Sequence, residues 1–157
     1  MVWLEGSALG YAMRNSGVWT YGIVNLAHIL GVATLFGSIL MLDLRLLGVW
    51  RNIPLLSLSK PATALSAGGF VLAVLTGLGL LATQATEYLG NPFFYIKIPA
   101  VALGFVNVIL IRRSSAWTAH RMRELSTREE RQLALMGGVS LLCWATAISA
   151  GRMIGYW

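Results

Sequence analysis

Charged side chains are scarce in this chain, and acidic ones most of all. Asp, Glu, Lys and Arg make up 11% of the 157 residues, hydrophobic residues make up 57%, and the mean hydropathy is +0.70. Soluble domains carry about 25% charged residues. The composition therefore excludes an ordinary soluble domain and indicates an integral membrane protein.

Cysteine and the motifs of soluble enzymes are also nearly absent. Cys143 is the single cysteine, so an intrachain disulfide is excluded. The sequence contains no glycine-rich phosphate loop, no nucleophile elbow and no pair of catalytic acids. The net charge of +6 does not indicate nucleic-acid binding, because the basic residues are not interleaved with aromatic residues in one patch.

Long apolar segments take up most of the chain. A membrane-spanning helix needs about 20 largely apolar residues, and four segments qualify: 18–49, 61–85, 92–111 and 132–156. They predict an all-α, four-helix transmembrane bundle that forms one domain over residues 1–157. Residues 1–17 have no basic region typical of a signal peptide, and we expect them to be retained and to lie at the membrane interface.

The basic residues predict the orientation of the bundle. They gather in the first and third loops, at Arg45, Arg51, Lys60, Arg112, Arg113, Arg121, Arg123, Arg128 and Arg131. The positive-inside rule places such loops in the cytoplasm, so both termini and the second loop are predicted to face outward. The expected location is the bacterial inner membrane, crossed several times.

Helix ends and helix contacts also have signals in the sequence. Pro61 and Pro92 are predicted to stand in the first turns of their helices, where a missing N–H costs least. Ser126 followed by Glu129 predicts a capping box that begins the last helix early. The spans are rich in glycine, which lets helices approach closely in lipid. Near the inner end of the first span, Asp43 is expected to pair with Arg112 or Arg113.

His28 is the leading candidate for a functional residue. It lies well inside the first span, and an ionisable side chain at that depth usually faces a bundle interior, a ligand or a cavity. Lys97 and Arg152 are predicted in the same outer half of the membrane, with Gly77 and Gly79 at about the depth of His28. A structural hydrogen bond from His28 and snorkelling of the two cations are the alternatives.

These residue types fit an amphipathic cofactor such as haem b. His28 would be the metal ligand, Lys97 and Arg152 would meet acidic groups, and Gly77 and Gly79 would leave room for a flat macrocycle. His120 is predicted on the opposite side of the membrane. A monomer therefore offers a five-coordinate iron or a weak sixth ligand such as Met153, unless two protomers share the site. One histidine with scattered methionines does not form a copper cluster.

Several segments resemble known families of small membrane proteins. Four carry the likeness: AHILGVATLFGSILMLDLRLLG, LAVLTGLGLL, EYLGNPFFYIKIPAVALGFVNVILIRR and WATAISAGRMIGY. Over nearly the whole chain they resemble the uncharacterised bacterial four-span family DUF6644. The layout of His28 and Lys97 is more distantly similar to the copper-resistance protein D family and to the membrane protoporphyrinogen oxidase family. That second likeness implies a haem-capable pocket with His28 and Lys97 as its functional pair.

Three hypotheses on function remain open at this stage. The first is electron transfer through a haem b, or a similar cofactor, held by His28, between a membrane pool such as quinone and a partner on the outer face. The second is a non-catalytic subunit that anchors or assembles a larger complex, with His28 as a packing hydrogen bond. The third is a copper-handling or small-solute transporter, which would need a homo-oligomer to form a pathway.

Overall fold

Among the described residues, seven α-helices make up nearly all of the regular structure. The computed structural model describes residues 1–15 and 17–157, without the side chain of Val18. The helices are α1 (Val2–Glu5), α2 (Ala8–Asn15), α3 (Gly17–Leu46), α4 (Leu55–Thr83), α5 (Pro92–Arg113), α6 (Ser115–Ala119) and α7 (Thr127–Met153). Short 3₁₀ turns cover Glu87–Gly90 and Ile154–Tyr156, and these residues contain no β-strand.

The four long helices confirm the predicted class, an all-α membrane bundle. Each of α3, α4, α5 and α7 is long and apolar enough to cross a membrane, and few of the large apolar side chains on them are buried, while many are exposed to the surroundings. An apolar exterior on this scale suits lipid and not water. The protein is therefore a multi-pass membrane protein.

The helix boundaries differ from the prediction at one proline. Pro61 does not stand in the first turn, because α4 begins at Leu55 directly after Pro54 and contains Pro61 in its interior. Pro92 does open α5, and the Asn91 side chain caps that helix by accepting a hydrogen bond from the Phe93 N–H at 3.0 Å. The apolar count missed the first turns of α4 because Ser57, Ser59 and Lys60 interrupt it.

Ser126 begins α7 with the predicted capping box. The Ser126 hydroxyl accepts a hydrogen bond from the Glu129 N–H, and the Glu129 carboxylate accepts one from the Ser126 N–H at 2.9 Å. Arg123 forms an ion pair with the same carboxylate at 2.7 Å. The start of α7 is therefore fixed by contacts within the loop that precedes it.

The bundle is arranged around α3 and α7. The closest pairing joins α3 to α4, α7 packs on both α3 and α5, and the short α2 lies against α4. Loops 47–54 and 114–126 lie at one end, which we call the basic end. Both termini and residues 84–91 lie at the other, which we call the terminal end; there Asn91 donates a hydrogen bond to the Ile154 carbonyl at 3.1 Å.

Glycines set the short distance between α3 and α4. A Cβ on Gly69 would lie 2.6 Å from the backbone nitrogen of Leu35, and a Cβ on Gly31 would lie 2.8 Å from that of Ala73. Real Cβ atoms do not approach backbone so closely, so the two helices are in backbone contact here. This contact brings the middle of α4 within hydrogen-bonding reach of His28.

Two apolar clusters fill the bundle. At the basic end, Trp117 and Leu133 are buried together with Leu46, Ile111 and Ala116. Near mid-bundle, Trp144 is buried with Leu35 and Ile39. Phe70 of α4 stacks on Phe105 of α5 at 5.6 Å between ring centroids and meets the edge of Trp144, so aromatic rings bridge α4, α5 and α7.

The first fifteen residues are held against the terminal end of α4. The Arg14 guanidinium donates to the carbonyl of Thr83 at 3.3 Å and to that of Glu5 at 2.8 Å. The Glu5 carboxylate accepts hydrogen bonds from the N–H and the hydroxyl of Thr86. These two bonds lower the pKa of Glu5 below its ordinary value. The N-terminal segment is thus tied to the bundle by polar contacts.

Asp43 does not pair with Arg112 or Arg113, contrary to the prediction. Its carboxyl group is buried and interacts with the Ser140 hydroxyl on α7. The second oxygen, Oδ2, has no partner among the described residues. Both arginines end α5 with exposed side chains, and α5 packs mainly on α7.

Candidate functional site

His28 faces α4 from the middle of α3. Its Nδ1 atom lies 2.9 Å from the carbonyl oxygen of Ala73 and 3.1 Å from the hydroxyl oxygen of Thr76. The Thr76 hydroxyl donates its own proton to the Leu72 carbonyl at 2.6 Å. Both neighbours of Nδ1 are therefore acceptors, and Nδ1 carries the proton.

This arrangement fixes the tautomer of the imidazole. With the proton on Nδ1, the neutral ring presents a lone pair on Nε2, and no hydrogen bond from the part of the chain that the structure describes reaches that atom. Metal-binding histidines typically donate their other ring N–H to a carbonyl or a carboxylate, which orients the ring and raises its basicity. His28 has that environment.

Gly77 provides the room in which the imidazole lies. A Cβ at this position would lie 3.0 Å from the Cε1 atom of His28 and 4.0 Å from its Nε2. The space above Gly77 therefore holds the ring itself. The Cβ position of Gly79 faces Met13 and Val24 instead, at 3.7 and 3.8 Å, so the two glycines do not border a common space.

Lys97, on α5, is the cation whose charge acts on His28. Its side chain is half-buried and lies against Gly151 of α7, whose Cβ would be 3.5 Å from both Cε and Nζ. The ammonium group interacts electrostatically with the His28 imidazole. No described carboxylate forms an ion pair with it. The structure thus packs His28 on Gly77, and Lys97 interacts with the imidazole through its charge.

Arg152 and Met153 lie apart from this group. The exposed Arg152 guanidinium lies over the Tyr156 ring, 4.6 Å from its centroid, and donates a hydrogen bond to the Tyr156 hydroxyl. Met153 lines a groove between α5 and α7, together with Phe93 and Ile96. Of the two cations predicted near His28, Lys97 interacts with it and Arg152 contacts Tyr156 instead.

His120 lies at the basic end, as expected from its loop. Its contacts are the Ser59 hydroxyl, 3.0 Å from Nε2, and the Trp117 carbonyl, which accepts from Nδ1. Ser59 and Ala73, the α4 partners of the two histidines, are about 21 Å apart along the helix at about 1.5 Å per residue. Among described residues no group of three or more His, Cys, Asp and Glu side chains is placed to hold a metal.

Thr76 and Ala73 complete the surroundings of His28, and sequence reasoning did not single them out. A carbonyl leaves no signal in sequence. Thr76 does leave one, because it is a hydroxyl residue in the otherwise apolar segment LAVLTGLGLL. A threonine inside a helix commonly donates to the carbonyl four residues earlier, as Thr76 does to Leu72, and its oxygen can then accept a hydrogen bond from another helix.

Comparison with known proteins gives a family without an established activity. No curated protein and no solved structure matches the chain. The model of one family, described as a family of unknown function, matches residues 1–157. Because this match covers the whole chain, the protein belongs to the DUF6644 family.

Proposed function

We propose that this protein binds haem b, or a similar amphipathic redox cofactor, through Nε2 of His28 and takes part in electron transfer. The observation that carries the proposal is the hydrogen bonding of Nδ1 to Ala73 and Thr76. It leaves Nε2 as a Lewis base inside an apolar bundle, and one histidine is sufficient to hold a haem iron on one side.

The neighbouring residues have complementary roles in this proposal. When bound, the cofactor supplies one-electron chemistry. Lys97, whose charge acts on His28, would meet an acidic group of the cofactor, while Arg152 would meet one at the outer surface. Gly77 keeps the imidazole in place, and the bond to Ala73 holds the proton at Nδ1.

Partners and location are part of the same proposal. A quinone or a redox partner on the outer face would exchange electrons with the site, and a homo-oligomer would allow two protomers to share a cofactor. The proposal also draws on the distant resemblance of His28 and Lys97 to the functional pair of the copper-resistance protein D and protoporphyrinogen oxidase families. The expected location is the bacterial inner membrane.

The visible absorption spectrum of the purified protein tests this proposal. The full chain, produced with haem available, is compared in its oxidised and dithionite-reduced states with His28→Ala. His120→Ala is the matched control, because it removes the other histidine at the distant end. We expect a Soret band with reducible α and β bands that His28→Ala abolishes and His120→Ala retains. A folded but colourless wild-type protein that fails to bind added haem would disprove the proposal.

A second candidate function is that of a non-catalytic anchor or assembly subunit. The same hydrogen bonds favour it, because His28 joins α3 to α4 at their closest contact. In that case His28→Ala loses stability without losing a spectrum, and wild-type protein purified in mild detergent brings a stoichiometric partner with it. A colourless protein with such a partner would select this function over the first.

A further inference from the structure

A small basic pocket lies at the basic end of the bundle, far from His28. It has a volume of about 190 Å³ and is lined by Arg112 at the end of α5, Trp117 and Thr118 of α6, and Arg121 just beyond α6. We call it the arginine pocket. Two arginines, one before and one after the same short helix in sequence, thus line the same cavity.

Neither guanidinium has an acidic partner. In the described part of the chain the only ion pair joins Arg123 to Glu129, and that carboxylate also accepts the bonds of Ser126. No acidic residue lines the pocket. Two arginines held near each other without a counter-charge repel each other, and an anion between them relieves that repulsion.

The turn that carries the pocket is held by several contacts. Ser114 caps α6 by accepting a hydrogen bond from the Trp117 N–H at 3.1 Å. The Trp117 side chain is buried in the apolar cluster of the basic end, and its carbonyl accepts a hydrogen bond from His120. The floor of the pocket is thus anchored in the core, while Arg112 and Arg121 remain exposed.

The chemistry of the lining favours a phosphate group. Guanidinium groups bind phosphate oxygens with paired hydrogen bonds. The Thr118 hydroxyl, which donates to the Ser114 carbonyl at 3.4 Å, lines the same pocket. Arg112 follows the last apolar residues of a membrane-spanning helix, which is the depth at which lipid headgroups lie. Basic pockets at this level of membrane proteins are suited to anionic headgroups.

From these observations we infer that the arginine pocket is a binding site for a phosphate group, supplied by an anionic phospholipid headgroup or by free phosphate. The inference does not depend on a cofactor at His28.

Affinity measurements on the full chain in neutral detergent test it. Phosphatidylglycerol and phosphatidylcholine are titrated separately and followed by native mass spectrometry, and inorganic phosphate is titrated in a calorimeter. We expect saturable binding of phosphatidylglycerol or of inorganic phosphate, and not of phosphatidylcholine. The double variant Arg112→Gln/Arg121→Gln is expected to bind roughly 25-fold more weakly, at about fivefold for each basic residue.

The control removes the same charge from the same end of the bundle. Arg113→Gln/Arg128→Gln changes two exposed arginines that do not line the pocket, and it is expected to keep the wild-type affinity. Binding of phosphatidylglycerol alone identifies a headgroup site, and binding of both ligands identifies a site for the phosphate group itself. Equal losses in the two double variants, or no saturable binding, would overturn the inference.

Folding is checked by helical circular dichroism and the thermal midpoint of each variant. If the glutamine variant does not fold, Arg121→Lys takes its place. This variant keeps the charge and loses the planar fork of donors. It should bind phosphate more weakly than wild type, and unchanged affinity would again overturn the inference.

Discussion

Asp43 is a buried acidic residue without an ion pair among the described residues. It is 2% exposed, and its side chain interacts with the Ser140 hydroxyl. Asp43→Asn keeps an acceptor for Ser140 at nearly the same volume, so its free energy of unfolding in detergent should change little. Asp43→Ala leaves the buried hydroxyl without that partner and should cost about 1–3 kcal/mol. Equal losses would show that the carboxyl group itself is required.

His120 predicts a pH dependence of stability at the basic end. Burial, assisted by the charge of Arg121, lowers the pKa of His120 below its ordinary value of 6.5, although the bond to the Trp117 carbonyl opposes the shift. Below about pH 6.5 the unfolded chain therefore binds a proton that the folded protein does not take up. Stability should be complete above that pH and fall as the solution is acidified towards the folded pKa.

Thermal midpoints at pH 7.5 and 5.5 check this dependence, with His120→Gln as the comparison. The variant lacks the titrating group and should lose less stability between the two pH values than the wild-type protein. Because His28 is present in both proteins, any effect of its titration cancels in this comparison. An identical loss in the two proteins would contradict the assignment to His120.

At the scale of the helices, the close contact between α3 and α4 depends on glycine. Gly69→Ala places a Cβ 2.6 Å from the backbone of Leu35, and backbone cannot rotate away as a side chain does. Overpacking costs about 1–3 kcal/mol, so a loss at the upper end of this range is expected in the free energy of unfolding. Separation of the helices also lengthens the bond between His28 and Ala73.

Gly68→Ala is the matched control for that substitution. Its Cβ meets nothing within 4 Å, and alanine is favoured over glycine inside a helix by about 0.5–1 kcal/mol. Unfolding measurements should therefore show Gly68→Ala as neutral or stabilising. If both variants lose the same stability, the close approach of the two helices is not what Gly69 provides.

Element boundaries show how far sequence patterns extend. The apolar segments identify all four spans, and the capping box at Ser126 and Glu129 gives the start of α7. The sequence did not predict the start of α4 at Leu55, because polar residues in its first turns lower the local hydropathy. In addition, a proline inside a helix cannot be distinguished by sequence alone from a proline that begins one.

At the scale of the whole molecule, the distribution of basic residues predicts the orientation in the membrane. The natural Cys143 is first replaced by alanine, and single cysteines are introduced as Gly90→Cys at the terminal end and Met122→Cys at the basic end. Gly90 meets nothing within 4 Å of its Cβ position, and Met122 is 77% exposed. A membrane-impermeant maleimide should label Gly90→Cys in intact cells and Met122→Cys only after lysis.

The reverse pattern of labelling would place the basic end outside. It would also move the arginine pocket to the outer face and His28 to the inner half of the membrane. The orientation therefore bears on both proposals, and it is measured without any cofactor or ligand.

The sequence by itself determined the class of the protein, because the length and hydropathy of a segment decide whether it spans a membrane. It also singled out His28, since an ionisable group in an apolar helix is visible without coordinates. Only the tertiary structure decided which groups surround it. The Ala73 carbonyl reaches His28 because Gly31 and Gly69 let two backbones touch, and Arg112 and Arg121 line one pocket although a short helix separates them in sequence. Contacts between segments distant in sequence depend on how the helices pack, and composition does not specify that packing.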